Sequence, residues 1–119
     1  MSKPVGPYTP IVRAGPWLVC SGQLGLADGQ LVAGGTVAQA EQGLANLRAL
    51  FEGAGSSLAD IVKTTVFLTD MADFAAMNEV YVAAFGEHRP ARSCVAVAAL
   101  PLGATFEIEA WAHLPAGGE

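Results

Sequence analysis

Charge is scarce in this 119-residue sequence: Asp, Glu, Lys and Arg together make up 14% of it, against roughly 25% in an ordinary soluble domain. Hydrophobic residues make up 52%. A lone monomer of this composition has little charge with which to cover its surface, which predicts a homo-oligomer. Basic residues are scarcest. The six of them, Lys3, Arg13, Arg48, Lys63, Arg89 and Arg92, are scattered along a chain of net charge -5. Nucleic-acid affinity comes largely from neutralising phosphates, so no nucleic-acid partner is expected. Long apolar runs are also missing, and nothing approaches the ~18 residues of a membrane span. The start, Met1-Ser2-Lys3-Pro4, lacks the hydrophobic region of a signal peptide, so the expected location is the cytoplasm. Cysteine is limited to Cys20 and Cys94, both in apolar strand-like runs. They read as small buried hydrophobes in a reducing compartment, and with His88 and His113 they show no metal-type spacing.

Several motifs are absent too. Gly22 and Gly25 make no dinucleotide fingerprint, because a hairpin strand follows them where a helix is required. There is no Walker-type loop and no nucleophile elbow. Without repeats, low-complexity segments or linkers, residues 1–119 read as one domain, long enough to bury a core without disulfides or metals.

What is present is a regular alternation of elements. Trp17 to Leu26 reads as a strand, and Asp28-Gly29 as a tight turn into a partner, Gln30 to Ala33. Gly34-Gly35 breaks the pattern, and Thr36 is placed to cap a helix whose apolar positions Val37, Ala40, Leu44, Leu47, Phe51 and Ala54 recur at three- and four-residue steps. Gly53 and Gly55 end it. Ile61 to Leu68 is rich in β-branched residues and reads as a strand. Asp70 or Asp73 caps a second helix with Phe74, Met77, Tyr81, Ala84 and Phe85 on one face, closed by Gly86 and Pro90. Two strands follow, Ala91 to Leu100 and Thr105 to His113, and a further short strand is drawn from Tyr8 to Val12. The expected architecture is α+β, a largely antiparallel sheet with two helices on one face. The other face would be bare in a monomer and is expected to pack against further subunits.

The chain is organised around Pro90-Ala91-Arg92-Ser93-Cys94. Everything beside Arg92 is small or apolar, so a fixed cation sits in what reads as a buried strand and needs an anion. In the last strand Glu107 and Glu109 share a face with Thr105, Trp111 and His113, opposite Phe106, Ile108, Ala110 and Ala112. That face is either a solvated exterior or a functional one. If the last two strands form a hairpin about Leu102 and Gly103, Glu107 lies opposite Ala98, about 20 Å from Arg92. The two then cannot meet within one chain. Either Arg92 pairs across an interface with no ligand, or it meets Glu107 of a neighbouring subunit around a small carboxylate, which a guanidinium grips through two parallel hydrogen bonds. Gly6-Pro7-Tyr8 offers an aromatic hydroxyl. Ser21-Gly22 offers a hydroxyl and a close backbone approach, or merely a bulge. Asn78 lies on the second helix, a ligand contact or a solvated residue.

Together, Gly6-Pro7-Tyr8, Ser21-Gly22-Gln23, Asp60 to Phe67, Pro90 to Val95 and Phe106 to Ala110 resemble the RidA/YjgF family of reactive enamine/imine deaminases, in order along nearly the whole chain. The resemblance implies a chorismate-mutase-like fold, a homotrimer whose sheets face a central barrel, and clefts between subunits. It also implies cofactor-independent hydrolysis of 2-imino acids to 2-keto acids and ammonia. By the same resemblance Arg92 is the carboxylate-binding arginine and Glu107 the water-positioning glutamate. Tyr8 and Ser21 complete the catalytic set, with Gly22, Cys94 and Asn78 lining the substrate site. The alternative is a regulatory trimer that binds a small carboxylate without turning it over. The short segment Gly86-Glu87-His88-Arg89-Pro90 departs from the family pattern, as do Ala96 and Ala99 where charge is common. These departures bear on substrate preference.

Overall fold

Alternation in the last strand sets the centre of the fold. In a computed structural model, which describes residues 6–115, Phe106, Ile108, Ala110 and Ala112 are all fully buried. In chain order the elements are β1 (Ile11–Ala14), β2 (Trp17–Leu24), β3 (Leu26–Ala27), β4 (Gln30–Leu31), α1 (Gly35–Gly53), β5 (Ile61–Leu68), α2 (Phe74–Phe85), β6 (Ala91–Ala96) and β7 (Phe106–His113). Five strands form one sheet in the order β1-β2-β7-β5-β6. All its pairs are antiparallel except β5 with β6, which α2 connects. A helical crossover is what a parallel pair requires. Ala40, Leu44, Leu47 and Phe51 of α1 and Met77, Tyr81 and Phe85 of α2 join the buried positions of β2, β5 and β7 in one core. The two helices therefore cover one sheet face, the α+β arrangement expected. The other face carries Trp17 and Trp111, 38% and 46% exposed. Among the described residues no helix is long and apolar enough to cross a membrane. The start Met1-Ser2-Lys3-Pro4 lies outside them.

Several expectations are corrected. The last two strands do not form a hairpin: β5 lies between them, and β6 is an edge strand. The connection from Val97 to Thr105 is too long for a tight turn; Val97 N–H first extends the ladder by donating to Leu68 C=O at 2.8 Å, and the chain then turns at Pro101–Gly103 with Leu102 and Gly103 at positive φ. β6 stops at Ala96 and is not buried, because an edge strand has a neighbour on one side only. The strand from Trp17 ends at Leu24, while the Asp28-Gly29 turn, with both residues at positive φ, joins the separate two-residue ribbon β3–β4. The first strand runs over Ile11–Ala14, later than drawn.

Thr36 does not cap α1. Gly34, at a left-handed φ of 115°, takes the cap position, and Thr36 Oγ1 instead donates to Asp73 at 2.8 Å and lies 2.7 Å from the Thr105 hydroxyl. Those bonds tie the starts of α1, α2 and β7 together. Asp73 takes the cap position of α2 without a side-chain bond into the helix, while Asp70 caps the preceding 3-10 turn, Met71–Asp73, its carboxylate accepting from Ala72 N–H at 2.9 Å.

Candidate active site

The first cluster grows from a bulge in β2. Cys20 pairs with Ala110 and Gln23 with Ile108, so Ser21 and Gly22 together face Glu109. One extra residue on β2 bends the strand locally. The bend brings the Gly22 backbone under the Glu107 side chain. A Cβ built at Gly22 would lie 1.7 Å from Glu107 Oε2 and 2.7 Å from Cδ. Only glycine leaves room for the carboxylate there, so Ser21-Gly22 is a bulge, and the group that comes close to its backbone is the Glu107 carboxylate. Ser21 Oγ donates to Thr9 C=O at 2.7 Å, and Ser21 N–H donates to Pro10 C=O at 2.8 Å. These bonds pin the segment that carries Tyr8. With its one proton committed, the Ser21 hydroxyl can only accept from a ligand N–H. Tyr8, Ser21, Gly22, Leu24, Pro101 and Glu107 line one cavity of about 230 Å³. Leu24 and Pro101 went unnoticed in the sequence. Burial pushes the Glu107 carboxyl above its usual range, and the charge of Glu109 adds to the rise. A carboxylate so raised is a better base near neutral pH.

The second cluster surrounds Arg92. Arg92 is in register with Thr64, whose buried side chain faces α2. Arg92 faces α2 as well: Nη1 donates to Asn78 Oδ1 at 2.8 Å, and the guanidinium carbon lies 4.8 Å from the ring centre of Tyr81 and 5.6 Å from that of Phe74. Cys94, two residues on, shares this face and is half-buried. Burial pushes its thiol up while Arg92 pulls it down. Cys20, in contrast, is buried in the core with its thiol pushed up to about 12, mainly by desolvation, and stays protonated. The sequence pattern places Phe74 and Tyr81 only in an apolar stripe. Their spacing with Asn78, at four and seven residues from Phe74, was the available signal for one shared helix face.

The structure thus brings Tyr8, Ser21, Gly22 and Glu107 together, brings Asn78, Arg92 and Cys94 together, and keeps the two sets apart. Arg92 aligns with Thr64, Thr64 with Ala110, and Glu107 lies three residues beyond on β7. Two strand spacings and three residues make a backbone separation of roughly 14 Å. Moreover, Arg92 faces the helices while Glu107 alternates with β7 residues that do, so they occupy opposite sheet faces. That they cannot meet in one chain holds, for a different reason from the hairpin. Among the described residues no group of three or more His, Cys, Asp or Glu is placed to hold a metal ion.

Comparison with known proteins finds relatives of this chain in both sequence and fold. The sequence model of the family described as Endoribonuclease L-PSP matches residues 1–114. A RutC family protein of Pyrococcus horikoshii is 47% identical, over 93% of this chain and 90% of the relative. A mouse protein named 2-iminobutanoate/2-iminopropanoate deaminase is 46% identical, over 89% of this chain and 80% of the relative. The crystal structure of RidA from an Antarctic Psychrobacter superposes with a TM-score of 0.91 at 46% identity, covering 94% of this chain and 92% of that one. Sequence and fold agree over nearly the whole length, and the chain belongs to the Endoribonuclease L-PSP family, the family of RidA and YjgF.

Proposed function

We propose that this protein is a hydrolase that converts small 2-imino acids, or their enamine tautomers, to 2-keto acids and ammonia, at sites formed between the subunits of a homotrimer. One observation carries the reading: a single chain builds both an acid-lined cavity and a caged arginine, but on opposite sheet faces. A site using both needs the Arg92 face of one copy against the Glu107 cavity of the next. The exposed aromatic residues of the open sheet face and the scarcity of charge support such an assembly. The name of the mouse relative supports the chemistry.

In this reading Arg92 grips the carboxylate of the imino acid through paired hydrogen bonds. Ser21 accepts from the imine N–H, and Tyr8 borders the same cavity. Glu107 takes a proton from water as the water oxygen bonds to the imine carbon, and the C=N π pair becomes a lone pair on nitrogen, which takes up a proton from solvent water. In the tetrahedral adduct the hydroxyl proton returns to solvent, the carbon–nitrogen bond breaks, and nitrogen leaves as ammonia with the proton that Glu107 held. Water supplies the keto oxygen, and no redox partner is involved. Imines hydrolyse unaided, so positioning and a general base, worth about 10² to 10⁴-fold, are what the protein adds.

The test is to generate 2-imino acids with an amino-acid oxidase and trap the surviving imine with semicarbazide. The expected result is less trapped product with the wild-type protein. Arg92→Ala should lower kcat/KM about 100-fold or more. Glu107→Gln should keep 2-keto acid binding while kcat falls about 10² to 10⁴-fold. Arg92→Ala with unchanged imine hydrolysis would overturn the assignment. A wild-type protein that binds the keto acid and leaves the imine intact is instead a non-catalytic carboxylate binder. The family description raises RNA cleavage, which six scattered basic residues do not favour; RNA cut by the wild type and spared by Arg92→Ala would establish it.

A further inference from the structure

The guanidinium of Arg92 is held by three side chains of one helix, and all three are uncharged: the Asn78 carbonyl oxygen accepts from Nη1, and the rings of Phe74 and Tyr81 lie against the guanidinium carbon. Half-buried arginines are commonly held by carboxylates, which bind more tightly than amides. We infer that Phe74, Asn78 and Tyr81 form a neutral cradle, which fixes the orientation of Arg92 while adding no negative charge to compete with an incoming carboxylate. Phe74 and Tyr81 are positioning residues, and the neutrality of Asn78 is itself the functional feature. The inference rests on reading Arg92 as the carboxylate grip.

The cradle is anchored from below. The Tyr81 hydroxyl lies 2.7 Å from Thr64 Oγ1, both residues are buried, and Thr64 is the in-register neighbour of Arg92 on β5. One hydrogen bond thus ties the ring under the guanidinium to the strand that carries the guanidinium's own backbone. Phe74 is 39% exposed despite its place in the apolar stripe of α2. The electrostatic logic is one of competition. An aspartate at position 78 would reach the same nitrogen with the same geometry and pair with Arg92 permanently. The fold would not suffer, but a ligand carboxylate would have to displace it.

Isothermal titration with 2-oxobutanoate, run beside the imine-trapping assay and thermal unfolding, tests this directly. Asn78→Asp should weaken 2-oxobutanoate binding and raise KM about 10 to 100-fold, with kcat at saturation within about threefold of wild type, because the carboxylate contact is the same in ground and transition states. Its melting temperature should stay equal or rise. A purely structural role for Asn78 would instead lower the melting temperature and leave KM alone. Tyr81→Leu should raise KM about 3 to 30-fold through loss of the ring, whereas Tyr81→Phe, which keeps the ring, should restore most of the affinity. Asn78→Asp binding 2-oxobutanoate as tightly as wild type would overturn the inference and leave the deaminase reading intact. Wild type that binds 2-oxobutanoate, with Asn78→Asp impaired and no imine consumed, would support the cradle and overturn the deaminase reading. Imine hydrolysis without any 2-oxobutanoate binding by wild type would overturn the cradle's role.

Discussion

The two halves of the site are built by opposite means. Glu107 is placed by subtraction: a bulge and a missing Cβ at Gly22 open a slot for its carboxylate, and burial within that slot weakens it as an acid. Arg92 is placed by addition, with one amide and two rings of α2 around its guanidinium. On the proposed reading, with Glu107 as base and Arg92 as carboxylate grip, the contrast follows from what each group must do. A base gains from losing water, which raises its pKa toward the working pH. A carboxylate grip gains from staying charged, and arginine stays charged in any case, so its surroundings have only to orient it without neutralising it. One half should therefore be sensitive to added volume and the other to added charge.

Adding volume to the first half gives the larger effect. Gly22 lies outside the left-handed region of φ, so alanine is compatible with the backbone, yet its methyl group would occupy the position of the Glu107 carboxylate. Gly22→Ala should lower kcat about 10 to 100-fold, the order expected when a catalytic group moves by an ångström or so. Measured by imine trapping, full activity in this variant would show that the slot does not position Glu107. A smaller effect sharpens the electrostatic side. The acid limb of the kcat/KM profile reports Glu107 losing its proton, so activity should rise with pH through a midpoint above the usual carboxylate range. Removing the neighbouring negative charge with Glu109→Gln should make Glu107 easier to deprotonate and move that limb to lower pH. Burial is the larger cause and persists in the variant, so the midpoint should not return fully to the ordinary value. A limb that stays fixed or moves up would separate Glu109 from the site.

Much of this was legible along the chain where neighbouring residues hold the information. The lone cation among small and apolar neighbours is plain in Pro90 to Cys94, although the strand that carries it proves to be an unburied edge, and the two-residue period of β7 put Glu107 on the face away from the core. Information that depends on distant pairing was not legible. Nothing in Ala91 to His113 reveals that β5 lies between the two final strands, because a strand's partner is chosen by the whole sheet. Likewise Gly22 and Glu107 are 85 positions apart, and their contact exists only once β2 and β7 pair with a bulge. Thr36 had the side chain of a helix cap, but a tertiary bond to Asp73 took it instead. Phe74 and Tyr81 fitted an apolar helix stripe, and only the location of Arg92 shows that their rings also lie near a guanidinium, Tyr81 while part of the core.

The central claim is that Arg92 and Glu107 act together from different copies, and subunit mixing tests it most directly. Arg92→Ala and Glu107→Gln should each be inactive alone in imine trapping. After unfolding and refolding together, or coexpression, random assembly around a ring of identical interfaces should give about one intact site in four, and activity should return to about that fraction of wild type. Mixed trimers as inactive as the single variants would contradict a site shared between subunits.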